Sequence, residues 1–173
     1  IQSNHLYPCS TGSALHNKGI EQFLERFHVL TATNYSTDGE FTGKVYKIRY
    51  DDNGTRWTYI KALSGSLKVR DPITYGDKTE KVTQIRKYNG QQPELVSEIE
   101  AGELFAVTGL TTAQIGDGIG GRIEKEDFTL IPTLRSKVVF NSDVNPKEAL
   151  RYFQILDEED PSLHVEWNEM LQG

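Results

Sequence analysis

The sequence predicts a mainly β chain: a closed antiparallel β-barrel over residues 38–120, flanked at 1–37 and 121–173 by α/β pieces of truncated neighbouring domains. Three observations carry that prediction. The apolar period is helical before residue 31 and near-alternating after residue 40. Turn signals recur about every ten residues through the middle of the chain. The runs between them are rich in β-branched and aromatic residues. Short strands at that spacing fit a small barrel or a sandwich, and of the two a closed barrel is expected.

The first segment starts with the tail of a strand, Leu6-Tyr7-Pro8, and a polar, glycine-marked loop from Gly12 to Gly19. Ile20, Phe23, Leu24 and Phe27 then fall at i, i+3, i+4 and i+7, one face of a helix. Asn17 stands where a cap would be. A strand, a loop and one helix cannot bury that face alone, so the segment reads as the end of a larger α/β domain. Residues 31–39 are polar, short-sided and aperiodic, a linker.

Phe41, Gly43, Val45, Ile48 and Tyr50, with interleaved lysines, form the first barrel strand, and the alternation slips once near Tyr46-Lys47 as a bulge allows. Asp51-Asp52-Asn53-Gly54 predicts a type I′ hairpin turn, because Asn-Gly accepts its positive φ angles. Trp57, Tyr59 and Ala62 lie on the return strand. Ser64-Gly65-Ser66 interrupts it, Leu67-Lys68-Val69 resumes, and Asp71-Pro72 turns. Val82 to Tyr88 and Leu104 to Thr108 supply further strands.

The third segment begins near Phe128. Leu134 to Phe140 reads as a strand. Asn145-Pro146-Lys147-Glu148 opens a helix, with Asn145 as the cap, Pro146 in the first turn and Glu148 able to reach back. Ala149, Phe153 and Leu156 share one face. Asp157-Glu158-Glu159-Asp160 meets the negative end of the helix dipole, so part of this run is expected beyond the helix and solvated. Pro161 ends the element, and Leu163 to Trp167 reads as another strand, giving a truncated α+β domain.

Composition removes several classes of function. The chain has 19 Lys and Arg against 25 Asp and Glu, a net charge of −6, and 36% apolar residues. That excludes disorder and a duplex-DNA binder acting through bulk charge. No apolar run approaches the ~18 residues of a membrane span, and Ile1-Gln2-Ser3-Asn4-His5 has no signal-peptide core. Cys9 is alone and reads as a small buried residue, so a reducing, cytoplasmic setting is expected, without DNA or membrane partners.

Motifs for catalysis are missing. Gly116-Asp117-Gly118-Ile119-Gly120-Gly121 satisfies G-x-G-x-x-G, but no strand–helix context surrounds it, and a mobile interdomain loop is expected instead. His5, His16, His28 and His164 lack metal-ligand spacing, and the acidic run 157–160 lacks the order of a calcium loop. No phosphate-binding loop, nucleophile elbow or paired carboxylate occurs. The chain by itself is expected to be neither an enzyme nor a metal protein. Its basic residues are more informative: Lys44, Lys47, Arg49, Arg56, Lys61, Lys68 and Arg70 crowd into the first hairpin and its continuation. They read either as a solvated strand face guarding an edge or as a phosphate-contact strip for structured RNA.

The residues themselves resemble a known family. Phe41-Thr42-Gly43-Lys44-Val45-Tyr46-Lys47-Ile48, and Arg56-Trp57-Thr58-Tyr59-Ile60-Lys61-Ala62-Leu63-Ser64-Gly65-Ser66-Leu67-Lys68-Val69-Arg70-Asp71, resemble domain II of translational GTPases of the elongation factor G superfamily. Glu100 to Leu110 and Ile115-Gly116-Asp117 look like that barrel's closing strand and exit loop. Glu158-Glu159-Asp160-Pro161-Ser162-Leu163-His164-Val165-Glu166-Trp167 is similar to the start of domain III. Gly12-Ser13-Ala14-Leu15 with Asn17-Lys18-Gly19 resembles the fifth guanine-nucleotide motif. Val69-Arg70-Asp71 with Tyr59-Ile60-Lys61 looks more like the tetracycline-resistance ribosomal protection proteins, whereas Glu158-Glu159-Asp160-Pro161 leans toward elongation factor G.

The resemblance implies a division into the end of a GTP-binding domain (1–37), barrel domain II (38–120) and a linker with partial domain III (121–173). It implies GTP and magnesium for a longer parent, with Ser13, Ala14 and Leu15 at the guanine. It implies that the barrel docks on the ribosome, at small-subunit ribosomal RNA and a nearby ribosomal protein, and packs on the GTP-binding domain of the same chain. The docking set is Lys61, Lys68, Arg70, Lys44, Lys47 and Arg56. A parent of the ribosomal protection type, an elongation factor G or a paralogue acting in translocation, and a spacer barrel without RNA contact all stay open.

Overall fold

The structure, a computed structural model, describes residues 7–31, 33–89, 92–121, 134 and 136–168. Contacts divide the chain into two units, Ile1–Asn34 and Tyr35–Gly173. No described helix is long and apolar enough to cross a membrane.

In the first unit, Tyr7-Pro8 is irregular rather than the tail of a strand, and Leu6 lies outside the described residues. Cys9 is exposed, contrary to the expectation of a buried thiol, because no packed layer covers this stretch. Ser13 and Lys18 exchange backbone hydrogen bonds of 2.9 and 3.0 Å and close a tight loop. Asn17 serves that loop, with φ of 49° and its N–H donating to Ala14 O. It therefore does not cap helix α1 (Ile20–Thr31), whose first turn is received by Gly19 O from Phe23 N–H. The α1 face is formed as its spacing requires, with Phe23 and Phe27 in ring contact, yet no residue of α1 is buried.

Among the described residues the second unit holds ten strands: β1 (Thr42–Tyr50), β2 (Arg56–Ser64), β3 (Ser66–Lys68), β4 (Pro72–Tyr75), β5 (Lys78–Lys81), β6 (Gln84–Asn89), β7 (Gln92–Val96), β8 (Glu98–Glu100), β9 (Leu104–Thr108) and β10 (Gly118–Gly120). Every strand pairing is antiparallel. One sheet runs β10-β1-β2-β9-β6-β7, and β3-β8 and β4-β5 are separate pairs. The expected slip appears as a register shift between Val45 and Lys47. The three sheets enclose one core, in which Val45, Ile48, Ile60, Leu67, Ile73, Val82, Ile85, Ile99, Phe105 and Ile119 are buried. The alternation of β1 and β2 directs Val45, Ile48 and Ile60 inward and Lys44, Lys47, Arg49 and Lys61 to the other face, while Arg56 shares the parity of Ile60. No hydrogen-bonded ladder among the described residues joins the ends of the six-stranded sheet, although β10 lies beside β4.

Other local expectations are revised. Gly54 alone takes positive φ (76°) in the first hairpin, and its N–H donates to Asp51 O at 2.8 Å. This is a turn followed by a left-handed residue, not a type I′ pair. The Asp51 carboxylate accepts from the N–H groups of Asn53 and Thr55, which holds the longer loop. The glycine-rich 116–121 stretch is not a mobile interdomain loop: β10 pairs with β1, and Gly118 and Ile119 are buried.

Among the described residues of 134–140 there is no strand, and 163–167 ends a one-turn 3-10 helix (Pro161–Leu163) before continuing irregularly. A strand needs a ladder partner, and neither segment meets one among the described residues. The start of the segment near Phe128 and the Arg122–Asp127 continuation of the glycine motif lie outside the described residues. Helix α2 (Pro146–Glu159) is capped as expected, Lys147 N–H donating to the Asn145 side chain at 3.0 Å.

A carboxylate braces the far side of the core. Glu80 accepts from Thr111 N–H at 2.7 Å, from the Thr111 hydroxyl, and from the Tyr75 hydroxyl. Burial alone would push its carboxyl up, but the Thr111 and Tyr75 hydrogen bonds outweigh it, and the group titrates below the usual 4.5. Because the folded value is depressed, its contribution is complete above the unfolded value and is lost as pH falls through the folded one. Urea midpoints measured downward from pH 5 are expected to drop, and Glu80→Gln to flatten that drop. An equally steep profile in the variant would remove Glu80 from the acid response.

Candidate functional site

Seven Lys and Arg residues looked alike in the linear sequence; the fold gives them different work. Arg56, at the start of β2, has a side chain only 12% exposed. Its guanidinium donates to Glu158 Oε2 at 2.8 Å, Thr58 Oγ1 at 3.0 Å, Leu110 O at 2.7 Å and Ala113 O. With its donors so engaged, Arg56 holds β2 to the 110–113 turn and to α2. Arg49 pairs with Glu159 at 2.6 Å, and Glu159 also accepts from Tyr50 N–H at 2.8 Å. The Tyr50 hydroxyl donates to Glu158 at 2.7 Å. The end of α2 is thereby fastened to β1 and β2. The expectation of an acidic run partly beyond the helix and solvated holds for Asp160, which follows α2 and is exposed, whereas Glu158 and Glu159 lie within the helix, where the two arginines offset the unfavourable dipole.

Lys61 donates to Gly102 O and lies 4.7 Å from the Tyr35 ring centroid, so part of its reach is already committed. Lys44 is half-buried on β1. Lys68 and Arg70 are exposed; Lys68 faces Glu98 at 3.5 Å, and Arg70 sits at a φ of 78° with its N–H on Val82 O. Lys47 lies over Tyr59, 5.2 Å from the ring centroid.

That lysine leads to the residues the linear reading missed. Tyr59 stacks on Tyr88 with centroids 5.4 Å apart and meets Tyr46 edge-on at 6.2 Å. The Tyr59 hydroxyl donates to the Tyr88 hydroxyl at 3.1 Å. Tyr46 and Tyr88 remain 43% and 37% exposed. Burial, followed by the neighbouring phenols, raises the titration of Tyr59, and burial followed by Tyr88 raises that of Tyr46; both rings stay neutral through the physiological range. Beside them Trp57 donates its indole N–H to Asp51 at 3.1 Å, while the Arg86 guanidinium lies 3.9 Å from the Trp57 ring centroid. Register places Lys47 opposite Tyr59, Tyr59 opposite Ala106 and Ala106 opposite Arg86, one row across four strands.

The sequence spanning these strands, residues 40–121, matches the family Elongation factor G domain 2. That match accounts for just under half of the chain. Beyond domain 2, the chain is 30% identical over 172 residues to the tetracycline resistance protein TetP of Clostridium perfringens, which covers 95% of this chain and 26% of TetP. It is 36% identical over 111 residues to the tetracycline resistance protein TetS of Listeria monocytogenes, covering 61% of the chain and 17% of TetS. It is 27% identical over 142 residues to elongation factor G 2 of Treponema pallidum, covering 69% of the chain and 21% of that protein. The chain thus spans about a quarter or less of the length of these relatives.

Among the described residues no three His, Cys, Asp or Glu side chains converge for a metal. The predicted guanine residues belong to the other unit: Ser13 is half-buried, Ala14 exposed, and Leu15 90% exposed at the loop's tip. What domain 2 offers is an outer sheet surface of aromatic rings and cations.

Proposed function

We propose that this chain is a non-catalytic portion of a ribosome-binding translational GTPase, cytoplasmic, whose domain 2 docks on small-subunit ribosomal RNA and a nearby ribosomal protein. The observation that carries this is the relation to TetP over 95% of the chain, which continues through domain 2 and both flanks. On this reading residues 1–37 end a GTP-binding domain, 38–120 form domain 2 and 121–173 begin domain III. Domain 2 is then a sealed barrel with its seam between β10 and β4, a reading supported by their packing around one shared core.

The reading implies GTP and magnesium for the whole protein, which would supply a phosphoanhydride to cleave and the charge to stabilise its cleavage. The residues fit only the base of the nucleotide. The Ser13–Lys18 bridge holds the 13–18 loop rigid, and the small side chains of Ser13 and Ala14 let a planar ring approach the backbone. Ser13, Ala14 and Leu15 would position the guanine and carry no step of hydrolysis.

The docking set is now Lys44, Lys47, Lys61, Lys68 and Arg70, with Lys68 and Arg70 the most exposed. In the full-length protein, changing Lys68 and Arg70 to Ala is expected to weaken ribosome cosedimentation and to lower the slope of log affinity against log salt by about 1 per residue. Unchanged affinity at two ionic strengths would make domain 2 a spacer. The parent is of the ribosomal protection type on this reading, and cells expressing it are expected to tolerate tetracycline. The relation to elongation factor G 2 favours the second reading, a translocation factor, which an absence of tolerance would leave standing.

A further inference from the structure

Charge is segregated sharply in domain 2. Strands β1, β2 and β6 carry three, two and two Lys or Arg, and neither they nor β9 contain an Asp or Glu, in a chain whose net charge is −6. The acids lie in turns and on other elements: Glu159 meets Arg49, and Glu103 meets Lys87. Lys47 and Arg86 lie instead on aromatic rings, at either side of the tyrosine cluster. The strands of this face contribute cations and no carboxylate, and the carboxylates that reach it from elsewhere are engaged, Asp51 by Trp57 and Glu159 by Arg49, so Lys47 and Arg86 are the cations placed to draw phosphate.

We propose that this face is a stacking platform for an unpaired RNA base, with Tyr46 and Tyr88 presenting the open rings and Lys47 and Arg86 placed for the phosphates on either side. Tyr59 is the positioning residue. Its ring backs Tyr88, its edge contact sets Tyr46, and Lys47 covers part of it. A ring held this way has already lost its rotamer freedom, so a base stacking on it costs less ordering. Stacking on an aromatic ring reads the π-face that every base shares, and so tolerates any sequence. Burial raises the titration of the Tyr46 and Tyr59 phenols, so these two stay neutral beside the phosphates. The inference rests on the RNA-docking reading but names a different contact: bases on the sheet face rather than phosphates along Lys68 and Arg70.

The test uses the whole 173-residue chain and two labelled RNA 12-mers, one single-stranded and one abasic at every position, in fluorescence anisotropy. The single strand is expected to bind tighter. Tyr46→Leu with Tyr88→Leu is expected to cost the single strand about fivefold or more and to leave the abasic strand unchanged. Tyr88→Phe, which keeps the ring, is expected to retain binding, and thermal melts of each variant verify the fold. Equal affinity for the two strands, or tyrosine variants that bind the single strand as the parent chain does, would overturn the platform. If Lys68→Ala with Arg70→Ala still lowered affinity for both strands, RNA docking would survive that failure. Loss of ribosome binding in the tyrosine variants with RNA affinity intact would give this face to a ribosomal protein and also overturn the platform.

Discussion

Gly120→Ala is expected to destabilise the second unit by at least about 3 kcal/mol. Gly120 ends β10 at a φ of 71°, and a Cβ there would lie 1.9 Å from Phe41 O, a backbone atom that cannot swing aside. Relief would require β10 to part from β1, exposing Ile119 and the Phe41 ring, which packs edge-on against Phe105 at 6.3 Å. Gly54→Ala is the matched control. It has a similar φ of 76° with nothing within 4 Å, so it should cost only the backbone strain, about 1 kcal/mol. Urea titration of both variants checks the comparison. Equal midpoints would mean that β10 yields easily and contributes little to the core.

Arg56→Ala ranks second, at about 3 kcal/mol. The loss is not mainly that of the ion pair, because the side chain of Glu158 is 43% exposed and solvent screens it. It comes from Leu110 O and Ala113 O, which accept from the guanidinium beneath the strand and would be left poorly solvated. Glu158→Gln should therefore cost about 1 kcal/mol or less, since its amide oxygen still accepts from Arg56 and Tyr50. If Glu158→Gln proved as damaging as Arg56→Ala, the charge pair and not the carbonyl contacts would be the source. The same comparison bears on function. On the proposed docking reading, Arg56→Ala is expected to weaken ribosome binding only as far as it unfolds the protein, whereas Lys68→Ala with Arg70→Ala is expected to weaken it with the fold intact.

Much of this protein was readable in one dimension because the causes are local. The Asn145 cap needs only the amide two residues on, and the slip near Tyr46-Lys47 is visible as a break in alternation. The strands containing Val45 and Ile60 are legible from their near-alternation, and the one containing Phe105 from its apolar, β-branched and aromatic run. The strand runs and their order likewise carried the family. Of the short strands, β3 was legible in Leu67-Lys68-Val69, but β4, β5 and β8 were not, because three or four residues give too few alternations to mark a strand. The strands expected at 134–140 and 163–167 fail because favourable residues do not make a strand without a ladder.

The site divides along the same line. Sequence alone determined that the first hairpin is basic and that no acid interrupts its strands, since that is composition within known elements. Only the tertiary structure decided that Arg56 is consumed by Glu158 and two carbonyls while Lys68 and Arg70 stay at the surface. It also decided that Tyr46, Tyr59 and Tyr88 meet. Period says which face a side chain takes, but cross-strand register, set by long-range hydrogen bonding, says which side chain stands next to it.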